Sequence, residues 1–458
     1  MATFDTSYGD NPFEVVSTNQ RDWYYPDILG VYRKRALYAP TVQHSFNLRN
    51  VGAQNATVTI VDDLHPNFDP IAMRELWLPA GHIDSKSVSV TFTHYGGKVA
   101  LHKFDELVTY WRKNKRKGLR RIINAALGQH VVDTFDLLAR NAYLSGSLNG
   151  GYSNYINGRA NLGALLATDT FTPDVANDIW MGMTYRGVPM AQGDNGAMGT
   201  IFCITSPGVI YDIIKSAGTS WISANQYRSL GLNALNYEVG QYRNVRFLQS
   251  PRATLYNAGA MIAQSPITAP AKAGDGAPDP STTKVDGVYS VGQQAATHYI
   301  QLSSAAWPAG AITDLAVGDI ITVHTKLTSA YGVTNGVDFA DGTAHERRIV
   351  AIDAANFRIT LDRPLMLDFT TDLGGGVYGY VTKGRHIHAS LFLGGGGGVV
   401  SAVSQGVQLH TPPPVDDIEA MYRFSWDAYL GYNTFDPSVF EVVFSAGSVR
   451  WKGAVVNQ

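Results

Sequence analysis

The sequence predicts an α+β fold into which a small all-β domain has been inserted. Three observations predict it. Two strictly alternating stretches precede a long helical pattern. Residues 147–264 then interleave helical and strand signals irregularly. After a Pro-, Ala- and Gly-rich stretch at 265–285 the chain turns to short alternating strands, and it returns to mixed character from about residue 377. The bulk numbers permit this. The chain has 458 residues, 45% of them hydrophobic and only 16% charged, enough apolar material for several packed cores and too little charge for a disordered chain. Its formal net charge of -2 gives no global attraction to a polyanion.

Taken in order, residues 1–50 mix aromatic and polar side chains without a period, as in DWYYPDILGVYRKRALYAPTV, and suggest an extended arm that gains order on another surface. Residues 51–100 form a β-arm. In ATVTIVD and KSVSVTFTH the apolar Val58, Ile60, Val88, Val90 and Phe92 alternate with Ser and Thr, which gives two strands with one apolar face. The stretch between them, HPNFDPIAMRELWLPAGHID, is too long for a tight turn and carries Trp77. The apolar face of such an arm serves either the chain's own core or a neighbouring subunit, and periodicity does not choose between them.

Residues 101–146 hold the strongest helix. From Leu119 the apolar positions Ile122, Ile123, Ala126, Leu127, Val131, Phe135, Leu138 and Ala142 recur at steps of three and four, and Gly146 reads as the stop. At about 1.5 Å per residue the helix would be roughly 40 Å long. Residues 147–264 follow as an α+β region, with a helix start at Thr172-Pro173-Asp174, a strand in TIFCITSP, a helix in PGVIYDIIKSAG, and a strand in YRNVRFLQSP after a turn at Gly240. Residues 265–376 comprise the linker and a β-barrel or sandwich built from HYIQLSS, VGDIITVHT and ERRIVAIDAANFRITLDRPL. Residues 377–458 close the host fold.

The stretch WRKNKRKGLRR at 111–121 concentrates Arg112, Lys113, Lys115, Arg116, Lys117, Arg120 and Arg121 at the start of the long helix. Positive charge there opposes the helix dipole, so the run calls for compensation by phosphate or carboxylate. Three readings stand open: a solvated face, pairing with carboxylates of a neighbouring subunit, and sequence-independent contact with nucleic acid. No aromatic platform or reader motif accompanies the run, which argues against specific recognition.

No catalytic constellation emerges. Gly374, Gly376 and Gly379 spell GxGxxG but precede a strand, where a dinucleotide site needs a helix. The five glycines at 394–398 lack the Lys-Ser or Lys-Thr pair of a phosphate loop. His386 and His388, two apart on a strand, share a face as a metal pair would, but no Cys, Asp or Glu nearby completes a set, and surface or interface histidines are the plainer reading. Asp62-Asp63 and Asp416-Asp417-Glu419 sit at turns. Cys203, the single cysteine, lies in an apolar strand and reads as a packed hydrophobe. No catalytic, cofactor-binding or metal residue is therefore expected, nor a membrane span or signal peptide.

The order of parts resembles the major capsid proteins of tailed bacteriophages with the HK97-type fold, and among them the capsid family of the N4-type phages. The stretches that carry the likeness are GGKVALHKFDELVTYW leading into LGQHVVDTFDLLARNAYLSG, then YEVGQYRNVRFLQSP, then LFLGGGGG and FSWDAYLGYNTFDPSVFEVVFSAGS. The resemblance implies an N-arm (1–50), an E-loop (51–100), a spine helix within 101–146, and A- and P-domains formed by 147–264 and 377–458. It implies a structural protein that self-assembles as hexamers and pentamers into an icosahedral virion capsid around double-stranded DNA, in the host cytoplasm, with portal and decoration proteins as candidate partners. An N-terminal coiled-coil stretch is missing, which points to a separate scaffolding protein or a processed chain. On this reading Val88, Val90, Phe92 and Trp77 are E-loop interface candidates, and the basic run meets acidic neighbours or packaged DNA. The alternatives are a tail-tube or decoration protein, then a glycan-binding or glycan-degrading enzyme.

Overall fold

The computed structural model describes residues 36–42, 44–47, 55–61, 85–102, 119–148, 150–190, 200–221, 238–269, 299–303, 312–324, 328–329, 332–333, 345–362, 365, 369, 372–395, 398–410 and 421–447. The alternating stretches become β2 (Asn55–Val61) and β3 (Ser85–Thr91), paired antiparallel with Ala56 opposite Val90 and Val58 opposite Val88. Phe92 breaks the strand, and β4 (Thr93–His102) turns away into a second sheet. That sheet has four strands in the order β1 (His44–Asn47), β17 (Val399–His410), β18 (Met421–Thr434), β4.

The long helix α1 (Leu119–Leu148) lies across this sheet. Its Leu127 and Val131, with Ile123, Phe135 and Leu138 beside them, pack on Phe424, Trp426, Ala428 and Leu430, the inward-facing alternate residues of β18. Trp426 is fully buried, and its indole N–H donates to His130 Nδ1 on the helix at 3.1 Å, so its polar edge is satisfied. Gly146 is not the stop that the sequence suggests. It lies inside the helix, and a Cβ there would stand 2.0 Å from Thr434 Oγ1, so its role is close approach of helix to sheet.

The C-terminal half of α1 enters a second, larger core, where Ala139, Tyr143 and Leu144 meet the main sheet. Six strands make that part of the sheet. β6 (Ile201–Thr205) runs parallel to β8 (Val245–Gln249), whose other neighbour is the edge strand β7 (Glu238–Tyr242). On the other side come β16 (Gly379–Leu393), β19 (Phe440–Ala446) and β5 (Tyr152–Tyr155). Helices α2 (Pro173–Tyr185) and α3 (Pro207–Ala217) bury Ala176, Ile179, Met183, Val209, Ile210 and Ile213 in this core, and Cys203 is sealed within it as expected. The turn expected at Gly240 falls later. Gly240 sits at a register shift within β7, and the reversal comes at Arg243, whose φ of 49° places it in the left-handed region.

Two long antiparallel strands, β9 (Leu255–Ile267) and β16, run out of this sheet into the residues expected as the inserted module. There β10 (Tyr299–Gln301), β11 (Ile320–His324), β14 (His345–Asp353) and β15 (Arg358–Leu361) enclose a core of their own around Ile300, Ile321, Val323, Ile349, Ile359 and Phe369, and β12 (Thr328–Ser329) and β13 (Gly332–Val333) pair as a separate small hairpin. The module is continuous with its host. β11 pairs with both β14 and β16, so a single 11-stranded sheet spans the two cores.

Candidate functional site

Of the basic run, Arg112, Lys113, Lys115, Arg116 and Lys117 lie outside the described residues, as does Trp77. Arg120 and Arg121 fall in the first turn of α1, which contains no acidic residue of its own to offset them against the dipole.

The β2–β3 hairpin shows a gradient of burial. At its base Ala56 and Val90 pack on Val400 and Ala402 of β17, with Val58, Phe92 and Phe435 partly buried around them. Val88 is half-buried, and Val61, at the outward end, is 62% exposed. This corrects the reading of Val90 as an inter-subunit contact: it is 0% exposed, so its surface is already removed from water by the chain's own sheet. Phe92 belongs to the same intrachain cluster. Among the described residues of the hairpin, the exposed apolar surface lies toward Val61.

The most concentrated chemistry in the described residues is a polar hub that the sequence did not reveal. Asp136 of α1 is fully buried, and its Oδ1 accepts the backbone N–H groups of Leu37, Tyr38 and Ala39 at 2.8, 2.7 and 3.0 Å. Its Oδ2 accepts from Arg252 Nη1 at 3.1 Å, and Arg252 Nη2 also donates to Asp133. Arg140, one turn on, donates from Nη1 to the Arg252 carbonyl at 2.8 Å. Asp136, Arg140 and Arg252 are buried, and Asp133, at the hub's half-exposed edge, brings the two aspartates and two arginines into charge balance. Tyr38 is buried against the hub, and desolvation pushes its phenol up from the ordinary value. The hub ties three distant pieces together: residues 37–39, the long helix, and the turn after β8. A helix reading that counts only apolar positions passes over it, because Asp136 and Arg140 at i, i+4 look like a solvated ion pair.

The outer face of the four-stranded sheet carries a looser cluster. Asp427 of β18 accepts from His410 Nε2 of β17 at 2.6 Å and lies 3.3 Å from His94 Nε2 of β4. His94 stacks flat on Tyr429 at 4.2 Å. Both histidines are about half exposed. Side-chain hydrogen bonds from His410 and then His94 hold the Asp427 carboxyl below its ordinary value, although desolvation opposes them.

His386 and His388 share a face as predicted, but the face is interior. His388 is 3% exposed, and its Nδ1 lies 2.5 Å from Ser206 Oγ. A buried Ser–His contact invites a nucleophile reading, which needs an open path and a group orienting the imidazole. Here Ser206 is itself buried at the N-cap of α3, and the other ring nitrogen, Nε2, has no hydrogen-bond partner. Among the described residues no group of three or more His, Cys, Asp or Glu side chains is placed to hold a metal ion. The GxGxxG spelling, set aside as a dinucleotide site on sequence grounds, opens with a turn: the N–H groups of Gly374 and Gly376 donate to Asp372 Oδ1 at 2.8 and 3.2 Å. No described helix is long and apolar enough to cross a membrane.

No family model matches the chain, and no curated protein matches it. Solved structures do. The capsid of Ralstonia phage GP4 is similar over 94% of this chain and 96% of its own, at 11% identity and a TM-score of 0.52. The capsid asymmetric unit of cyanophage Pam1 aligns over 94% of this chain and 98% of its own (11% identity, TM-score 0.49), and the capsid of cyanophage P-SCSP1u over 98% and 99% (12% identity, TM-score 0.48). At such identity the GP4 likeness is one of fold. The α+β fold described above is that of a phage capsid subunit.

Proposed function

We propose that this chain is the major capsid protein of a tailed bacteriophage, and that copies of it, as hexamers and pentamers, close into the icosahedral shell around a double-stranded DNA genome. The observation that carries this reading is the likeness to the Ralstonia phage GP4 capsid, which runs the length of both chains. A shell must pack many copies without strong mutual repulsion, and a net charge of -2 on 458 residues suits that. The role is structural, not catalytic.

Within this reading α1 is the spine helix of an HK97-type fold, and the four-stranded sheet beneath it is the P-domain. The main sheet with α2 and α3 is the A-domain, and β2–β3 is the stem of an E-loop reaching from its anchored base toward a neighbouring copy. The sequence stretches quoted above support a likeness to the N4-type capsids. The run from Arg112 to Arg121 lies near the inner side and meets acidic neighbours or packaged DNA through backbone phosphates. If all seven charges met duplex phosphates, log affinity against log salt would have a slope of about -6. A separate scaffolding protein, a portal and a decoration protein are the further partners this reading implies. Assembly takes place in the host cytoplasm.

Negative-stain electron microscopy with sedimentation, on the full chain with and without its phage neighbours, tests the proposal. Closed shells or sheets of hexamers and pentamers are expected. Tubes, small rings or a persistent monomer under all conditions would overturn it. Deleting residues 67–81 should abolish shells while the far-ultraviolet circular dichroism of the chain stays unchanged, because the anchored base of the hairpin is retained.

A further inference from the structure

His386 and His388 have an environment that no part of the proposed assembly requires. Both lie on β16 where it is covered by β9 on one side and β19 on the other: His388 stands opposite Leu255 and Ser445, and His386 opposite Asn257. His388 Nε2, His386 Nδ1 and Ser445 Oγ are all buried without a hydrogen-bond partner. The end of β19 closes over the ring. A Cβ on Gly447 would stand 1.9 Å from His388 Cδ2 and Nε2, and the Gly447 N–H donates to the His386 carbonyl at 3.3 Å. On the other nitrogen sits Ser206, the N-cap residue of α3, so His388 faces the positive end of an 11-residue helix.

The charged groups on the packed elements do not relieve a proton there. β9 carries none, and β16 itself adds Arg385 and Lys383, the latter paired with Asp319 at 2.6 Å. The one carboxylate of β19, Glu441, is engaged by Arg186 at 2.7 Å and by Asn154. α3 carries Asp212, nearly two turns from its cap, and Lys215 in its last turn. A positive charge on His388 would therefore meet a helix N-terminus, a second histidine on the same face and no free carboxylate.

We propose that His386 and His388 form an acid-sensitive joint: the fold closes around two neutral imidazoles, and protonation of His388 forces the end of β19 and the N-terminus of α3 away from β16. Burial, and secondarily the charge of His386, push the His388 imidazole down to about 3. Burial and then Arg385 push His386 down as well. The sign follows from linkage. The folded value lies below the unfolded value of about 6.5, so the unfolded chain binds the extra proton in acid. Stability from this joint is complete above about pH 6.5 and is lost as the pH falls below it, with the unfolding equilibrium constant rising about tenfold per pH unit. The joint concerns the folding of a single chain and stands whether or not the chain builds a shell.

The test is urea unfolding of the full chain at pH 7.5, 6.5, 5.5 and 4.5 for the wild type, His388→Gln and the exposed control His94→Asn. The unfolding constant of the wild type relative to H388Q should rise about tenfold per pH unit below about pH 6, while H94N follows the wild type. Parallel profiles for wild type and H388Q would overturn the proposal. Should H388Q fail to fold, selectively labelled histidine resonances of the wild type decide. At least His388 should remain untitrated until the chain unfolds, and titration of all 12 histidines without loss of structure would sink the idea.

Discussion

Asp136 and Asp427 each gather several partners, one inside the protein and the other on its surface. Asp136, itself fully buried, takes three backbone N–H groups and an arginine, the Tyr38 N–H and Arg252 being buried with it. Asp427 takes His410, His94 and, at 3.4 Å, Gln405, on the open face of a sheet. Counted as contacts they are alike. They differ in what replaces a lost partner. Water can solvate His94 and His410, whereas Arg252 and the backbone of residues 37–39 have no such substitute, because a buried donor left unpaired keeps its full desolvation cost. The interior cluster therefore holds the architecture, and the exterior one decorates it.

The largest expected effect breaks the interior side. Asp136→Ala removes the fully buried carboxylate that faces Arg252, leaving Asp133 alone to offset it, and strands the three N–H groups of residues 37–39; it should cost about 3–5 kcal/mol, read as a lowered denaturation midpoint. The amides of Leu37, Tyr38 and Ala39 should lose hydrogen-exchange protection in the same variant. Asp136→Asn sharpens the comparison by keeping an acceptor while removing the charge, and a smaller loss of about 1–3 kcal/mol is expected. Between the two sites lies the contact of α1 with β18 at Gly146. Gly146→Val drives methyl groups into Thr434 and should cost about 1–3 kcal/mol, with the hub's amide protection intact. The smallest effect is at the surface. Asp427→Asn should leave the denaturation midpoint unchanged within error at neutral pH, and a loss comparable to that of D136A would end the distinction drawn here.

Most elements were legible in the sequence because their side-chain periods are local. The alternation of Val58, Val88 and Val90 gave the hairpin, and the apolar steps from Leu119 gave the start of α1 and one of its two buried faces. The second face, Asp136, Ala139, Arg140 and Tyr143, was missed because two of its four residues are charged, and no local rule distinguishes a buried ion pair from a solvated one. Gly146 misled for a related reason. Glycine serves both to end helices and to admit a close neighbour, and the neighbour, Thr434, lies 288 positions away in the chain. His386 and His388 were correctly placed on one face, but whether that face met solvent depended on β9, β19 and α3 closing over it.

The sequence by itself determined the identity and order of most elements and the packed state of Cys203. These follow from backbone sterics and from the area each side chain removes from water, which act over a few residues. Only the tertiary structure decided that the hairpin's base is anchored on β17, that the inserted module shares its sheet with the host, and that one aspartate is a buried hub while another is a surface ornament. Each of those outcomes depends on which distant segment excludes water from a given atom, and exclusion of water is a property of the assembled chain.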